Sequence, residues 1–299
     1  MKQTELNVGV KRLFNTELEP GTVGLAWLGQ AGFALRYDNL RMLIDPYLSD
    51  HLAKKYRGQP FSHVRLMEPP IEAEELGGID LVLCTHGHSD HMDPDALAKI
   101  ASHNSSCRFL VPRSEMLKAK GLGLPEKKLI GIDAGENFNL APGISVTATR
   151  AAHEDLRLNE NGESFFLGYV LKLGDRVVYH SGDTIPFEGL VEELAPHQIE
   201  IALLPVNGRD DYRTSHGIPG NMTCTEARNL CLAAEIPHLV PHHFGMFDFN
   251  TADDIELNDL KLACREQLTC LRPEVNQIIV LSPRGACILQ SQVIEENWV

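Results

Sequence analysis

The segment Thr85-His86-Gly87-His88-Ser89-Asp90-His91 constrains this chain more than any other stretch. Three imidazoles and a carboxylate crowd into six residues, directly after the apolar run Ile79-Asp80-Leu81-Val82-Leu83-Cys84. A run of that length and character reads as a buried strand, so the polar residues sit on the loop leaving its C-terminal end. Alternate residues of an extended loop point the same way, which lets His86 and His88 grip one ion together. Asp90 and His91 then turn toward a second position. Asp93-Pro94 follows as an N-cap and first-turn pair for a helix beginning Asp95-Ala-Leu-Ala-Lys-Ile. Imidazole suits zinc, iron or nickel, and the carboxylate also accepts manganese, so the donor set admits several metals.

A chain of 299 residues holds one large α/β domain or two small ones. It has no low-complexity segment and no long linker, which predicts a single domain over residues 1–299. The formal net charge of -14 excludes a nucleic-acid surface, which needs clustered Lys and Arg. The basic cluster from Lys118 to Lys128 is broken by glycines and a proline and reads as a solvated surface segment. No apolar stretch approaches the roughly 20 residues that cross a bilayer, and Met1-Lys-Gln-Thr-Glu-Leu-Asn7 is no apolar signal region. No membrane partner is expected. Seven cysteines without a framework fit reduced thiols in a cytoplasm.

A faint internal echo divides the chain into β-rich halves of about 21–160 and 161–290. Residues 32–45 read as a hairpin that turns at Asp38-Asn39 and ends in Asp45; residues 168–183 repeat the scheme, turning at Gly174-Asp175 and ending in Asp183. Two such halves, each followed by helical stretches, predict two sheets packed face to face with helices outside. Thr223-Cys-Thr-Glu226 has the form of a capping box and opens a helix over 227–235. A strand from His238, a helix over 254–268 and a hairpin over 278–290 complete the reading.

Further candidate ligands each fall at a strand end or turn: His153, Asp183, His242 and His243. Ser181-Gly182-Asp183 after a strand exposes its carboxylate at a sharp turn. A dinuclear site needs about three protein ligands per ion and a bridging carboxylate, which this inventory supplies. His180 reads as a core hydrogen-bonding residue, and His51, His63, His103, His197 and His238 as surface or structural residues.

The order His-x-His-x-Asp-His, then His, Asp and His (His86, His88, Asp90, His91, His153, Asp183 and His243) resembles the metallo-β-lactamase superfamily. Within it the chain is similar to the L-ascorbate-6-phosphate lactonase-like family, through Trp27-Leu-Gly-Gln-Ala-Gly-Phe33, Leu43-Ile-Asp-Pro46, Tyr179-His-Ser-Gly-Asp183, Leu204-Pro-Val-Asn-Gly208, Gly220-Asn-Met-Thr223 and Val240-Pro-His-His243. The likeness runs from about Gly21 to about Phe247. It implies an α/β fold, the four-layer αβ/βα sandwich of two mixed sheets, with the site along one edge. It also implies two divalent metal ions, zinc or manganese. His86, His88 and His153 would hold the first, and Asp90, His91 and His243 the second, with Asp183 between them. His243 is preferred to His242 because the family's ligand stands three residues after Val240. Asp45 would stand behind the ligands as an acceptor orienting a histidine, and His242 would either stand behind them too or pack in the core.

The resemblance implies a hydrolase using metal-activated water, with Asp90 and Asp183 as catalytic carboxylates and Asp90 passing a proton to the leaving oxygen. The expected substrate is a small anionic molecule, most simply a lactone of a phosphorylated sugar acid such as L-ascorbate 6-phosphate. Asn207, Arg209, Arg213 and His216 lie in a polar loop after a strand, and Asn221 beside a helix start; these are the expected substrate contacts, since Arg matches phosphate geometry, the alternative being that this Asp- and Arg-rich loop is solvated and self-paired. Two departures stand out. Gln30-Ala31 occupies the place of a Cys-Thr pair in the phosphorylated-ascorbate lactonases, and the loop from Pro205 to Gly220 is not a close copy. The alternatives are a phosphodiesterase or other ester hydrolase on the same scaffold, and a metal-binding protein without turnover. The resemblance is compatible with a homo-oligomer.

Overall fold

The computed structural model describes residues 8–264 and 267–289, and within them the apolar runs become two mixed sheets. In chain order the strands are β1 (Val23–Gly29), β2 (Gly32–Tyr37), β3 (Leu40–Ile44), β4 (Leu81–Leu83), β5 (Arg108–Pro112) and β6 (Leu129–Ile132). Then come β7 (Asn137–Ala141), β8 (Ile144–Arg150), β9 (Leu167–Leu173), β10 (Arg176–His180), β11 (Ile201–Pro205), β12 (His238–His242), β13 (Thr269–Cys270), β14 (Ile278–Ser282) and β15 (Gly285–Leu289). One sheet runs β15-β14-β1-β2-β3-β4-β5-β6 and the other β13-β12-β11-β10-β9-β8-β7. Gln290, the end of the expected last hairpin, and Met1–Asn7 lie outside the described residues, as do residues 265 and 266 of the expected 254–268 helix.

The two hairpins that echo one another occupy equivalent places. β2 and β3 pair antiparallel and β4 adds parallel to β3; β9 and β10 pair antiparallel and β11 adds parallel to β10. Parallel addition lines up strand C-termini, which is where open α/β sheets gather their functional loops. Asp45 leaves β3, the histidine motif leaves β4, Asp183 follows β10 and His243 follows β12.

Period-2 patterning decides which core each side chain joins. Val23, Leu25, Trp27, Phe33, Leu35, Leu81 and Leu83 face the second sheet, while Ala26, Leu28, Ala34, Val82 and Cys84 face the helices outside. Those helices include α1 (Val8–Asn15), α2 (His51–Lys55), α3 (Pro94–His103) and α4 (Met116–Gly121). On the second half lie α5 (Leu190–Leu194), α6 (Asp211–Ser215), α7 (Cys224–Ala233) and α8 (Asp254–Ala263). The result is the helix–sheet–sheet–helix sandwich that the sequence predicts. The capping box of Thr223 and Glu226 forms as expected. Among the described residues no helix is long and apolar enough to cross a membrane.

Asp93 joins the loop after β3 to the helix that follows the histidine motif. Fully buried, it caps α3 through the Asp95 and Ala96 amides and also accepts hydrogen bonds from the Leu48 and Ser49 amides and the Ser49 hydroxyl. Losing the cap costs about 1 kcal/mol, and each buried amide left without an acceptor costs about 1–3 kcal/mol more. Asp93→Ala is therefore expected to lower unfolding stability by about 3 kcal/mol or more, read as a shifted midpoint in urea. A shift below about 1 kcal/mol would show that this carboxylate is dispensable.

Candidate metal centre

Each expected ligand sits where the backbone turns away from its strand. His86, His91, His153, Asp183 and His243 are all buried, while Asp90 is partly open and His88 stands exposed at the rim. Three backbone positions here are left-handed in non-glycine residues: Gln30 (φ 51°), Asp45 (φ 45°) and His243 (φ 63°). Each costs about 1 kcal/mol or more of strain, which the surrounding structure must impose. Gly182 (φ 61°) makes the turn that presents Asp183; a Cβ there would lie 2.5 Å from the Leu167 carbonyl oxygen.

The side chains converge into overlapping triads whose donor atoms lie within 4.8 Å of one another: His86–His88–His153, His86–His91–Asp183 and Asp90–His91–His243. Asp183 Oδ2 lies 3.3 Å from His91 Nε2, 3.2 Å from His243 Nε2 and 3.7 Å from His153 Nε2. Asp90 Oδ2 lies 3.6 and 3.7 Å from His91 Nε2 and His243 Nε2. Behind them, Asp45 accepts from His91 Nδ1 at 2.7 Å, from the Thr85 amide at 2.7 Å and from the Thr85 hydroxyl at 2.6 Å. It thereby fixes the His91 ring so that Nε2 faces Asp183 and Asp90.

The residues present fit divalent cations. His86 Nε2, His91 Nε2 and Asp183 Oδ1 are buried with no hydrogen-bond partner, a costly arrangement unless something else engages them. The charges agree. Burial opposes ionisation of Asp183, yet the imidazoles of His243 and His91 outweigh it and hold the carboxyl well below its ordinary range. Burial also opposes a charged His91, but Asp183, Asp45 and Asp90 overcome it and raise that imidazole well above its ordinary value. Burial, reinforced by its imidazole neighbours, drives His86 well below its own and leaves its ring neutral. Asp45, Asp90 and Asp183 thus draw positive charge into this buried pocket, onto His91 where no cation is bound.

A model of the β-lactamase superfamily domain matches residues 40–244. A UPF0173 metal-dependent hydrolase of Thermoplasma acidophilum is 30% identical over 229 residues, covering 77% of this chain and 86% of that protein. The chain belongs to the metallo-β-lactamase superfamily, in its UPF0173 family of metal-dependent hydrolases. Solved structures share the fold. A metallo hydrolase from Ignicoccus hospitalis (TM-score 0.63, 22% identity) covers 87% of this chain and 98% of its own. An isothiocyanate hydrolase from Delia radicum gut bacteria (TM-score 0.69, 20% identity) covers 85% and 97%.

In this metallo-β-lactamase fold His88, Asp90, His153, Asp183 and His243 line a cleft of about 350 Å³, with His86 and His91 buried behind them. Of the expected substrate contacts only His216 lines it. Arg209 makes a two-pronged pair with Glu226, both contacts 2.6 Å, because Glu226 sits in the first turn of α7. Arg213 is held by Asp210, the N-cap of α6, and donates to the Asn207 carbonyl and to Asn250 Oδ1 at 2.9 and 2.8 Å. Asn221 donates to Asn207, which donates to Asn250. These four residues brace the floor behind the cleft instead of entering it. His242 takes the packing alternative. As the last residue of β12 it points inward, stacking on His180 at 4.8 Å with neither ring nitrogen hydrogen-bonded, while the left-handed backbone at His243 turns the next side chain to the metal centre. His180 makes its expected core bond, to the Ala31 carbonyl at 2.8 Å.

Several residues in the cleft or beside the ligands escape the sequence reading. Lys118, expected on a solvated segment, starts from α4 and donates to the Gly87 carbonyl beside the histidine motif. His63, expected as a surface or structural residue, is half-buried and stacks on Tyr56 at 4.4 Å in the cleft wall with Phe61. Phe166 packs against His86 and His153, its ring 5.3 Å from each. Gln30, fully buried, reaches Asp90 and His243. Gln30 stands out in the sequence only as a departure from the family pattern, and the others carry no signal, because each arrives from a distant segment.

Two outcomes follow for the centre. Asp45→Ala leaves His91 free to rotate and is expected to weaken metal binding about 10- to 100-fold, measured by chelator competition; unchanged affinity would remove Asp45 from the site. Arg213→Ala is expected to lower the melting temperature by a few degrees and to leave the Michaelis constant for an active substrate unchanged. A raised constant would return Arg213 to the substrate.

Proposed function

We propose that this chain is a hydrolase that opens carboxylic esters, lactones above all, at a centre of two divalent cations, zinc or manganese. The observation that carries this reading is the set of overlapping triads at the inner end of one cleft. His86, His88 and His153 would hold one cation, Asp90, His91 and His243 the other, and Asp183 would face both. When bound, such cations supply Lewis acidity, which brings the pKa of water to roughly 7 and polarises an acyl oxygen.

The protein's own groups do the rest. Asp183 and Asp45 hold the histidine rings in register, and burial keeps bulk water from most of the donor atoms. Asp90 is the least buried of the three carboxylates, its side chain 15% exposed, and it lines the cleft. It is placed to carry the proton from the attacking water to the alkoxide released when the acyl C–O bond breaks. In a lactone that alkoxide stays tethered, so one water is added and nothing leaves.

The cleft walls favour an organic part that is not a sugar phosphate. Leu52, Tyr56, Phe61 and Ile218 line one side, with Lys55 and Lys118 as the cations within reach of an anionic group. With Arg209 and Arg213 engaged elsewhere, a small lactone or ester with an aromatic or alkyl portion suits this lining. A cytoplasmic setting is part of the proposal, consistent with buried free thiols at Cys84, Cys107, Cys231, Cys264 and Cys270.

Protein loaded with zinc or manganese is expected to open dihydrocoumarin with a higher kcat/KM than L-ascorbate 6-phosphate, and to lose both activities on chelation. Asp183→Ala should lower kcat/KM about a hundredfold or more while circular dichroism stays native. No ring opening of either lactone by fully loaded protein would sink the lactonase reading. Efficient turnover of the phosphorylated compound alone would reverse the substrate assignment.

A further inference from the structure

Gln30 sits at the metal centre without belonging to the ligand pattern, at the position where the chain departs from the lactonases it resembles. Its side chain is fully buried. Nε2 donates to Asp90 Oδ2 at 2.9 Å and lies 3.2 Å from His243 Nε2. Those two atoms belong to the Asp90–His91–His243 triad. The other end of the same amide, Oε1, is buried with no hydrogen-bond partner. The backbone holds the residue there: its carbonyl accepts from Trp27 Nε1 at 3.0 Å and from the His243 amide at 2.9 Å, and its φ of 51° is left-handed.

We propose that Gln30 is an additional oxygen ligand of the second cation, the one held by Asp90, His91 and His243. This rests on the two-cation reading above. The amide hydrogens and a cation compete for the same lone pairs on Asp90 and His243, so a cation there displaces the amide nitrogen. The terminal torsion of glutamine is broad and roughly two-fold, so a half-turn exchanges Nε2 for Oε1 at little cost. That turn engages the oxygen that otherwise has no partner, moves the amide nitrogen to the place Oε1 held, and gives the cation a neutral, hard donor. Carbonyl oxygen favours manganese over softer ions, so Gln30 would bias the second position toward manganese while the all-imidazole first position stays suited to zinc.

Stepwise manganese binding to the metal-free protein, followed by titration calorimetry, tests this directly. Gln30→Ala is expected to weaken the second binding step about tenfold or more and to leave the first unchanged. Gln30→Glu, of the same shape with a charged oxygen, is expected to bind the second ion at least as tightly as the native protein. With cobalt as the probe, Gln30→Ala should intensify the visible absorption through loss of one ligand, a change that mere loosening of the loop would not produce. Circular dichroism and melting temperature identify variants that fail to fold, in which case Gln30→Glu alone carries the comparison with the native protein. Equal or tighter second-step binding in folded Gln30→Ala, or weaker binding in Gln30→Glu, overturns the proposal. A native protein that binds one ion only would overturn the two-cation reading itself.

Discussion

The buried carboxylate of Asp45 is the contact on which the centre depends. It ends β3, yet three of its hydrogen bonds go to the loop after β4: the Thr85 amide, the Thr85 hydroxyl and His91 Nδ1. The paired ends of two adjacent parallel strands thus become one rigid platform. The bond to Nδ1 also determines which nitrogen of His91 is turned inward. A charge-assisted contact of 2.7 Å with no exposed surface holds far better than its exposed counterpart. Everything nearer the cations inherits its placement from this platform.

The opposite half of the ligand set comes from the other sheet, so the sheets must be joined at this edge. Four hydrogen bonds do it. Tyr169 Oη donates to the Cys84 carbonyl at 2.8 Å, and the Leu167 amide to the Thr85 carbonyl at 3.0 Å. His180 bonds the Ala31 carbonyl, and the His243 amide the Gln30 carbonyl. They bring β9, β10 and β12 against the loops of β1 and β4, and the apolar core between the sheets keeps water away from them. The strain at Gln30, Asp45 and His243 persists because packing on both sides over-determines those backbones.

Much of the site was legible because its signals are local. The histidine motif follows an apolar run, Asp93-Pro94 announces a helix, and the two hairpins share a pattern that the sheets reproduce. Of the two readings of Arg209 and Arg213, substrate contact or a self-paired loop, the structure shows the self-pairing. Arg213 finds Asp210, the N-cap of its own helix, three residues away at 2.5 Å, and Arg209 finds Glu226 in the next helix, seventeen residues away at 2.6 Å. Sequence shows the guanidinium but not which carboxylate the fold delivers to it. Lys118 errs the other way: its segment looks solvated, and only the path of α4 brings its ammonium to Gly87.

What the sequence determined by itself is the inventory and its periodicity: two sheets from period-2 runs, helices from capping residues, and a metal chemistry from imidazoles and carboxylates at strand ends. These depend on neighbours within a few positions, and short-range sterics and hydrogen bonding decide them. Tertiary structure alone decided which donors share an ion, which carboxylate stands behind His91, and that His242 faces the core while His243 faces the cleft. It also placed Gln30 between Asp90 and His243, which lie 60 and 213 residues away from it in the chain. Such contacts arise from packing two sheets against each other, where a position on one loop acquires meaning only from the loop that arrives opposite.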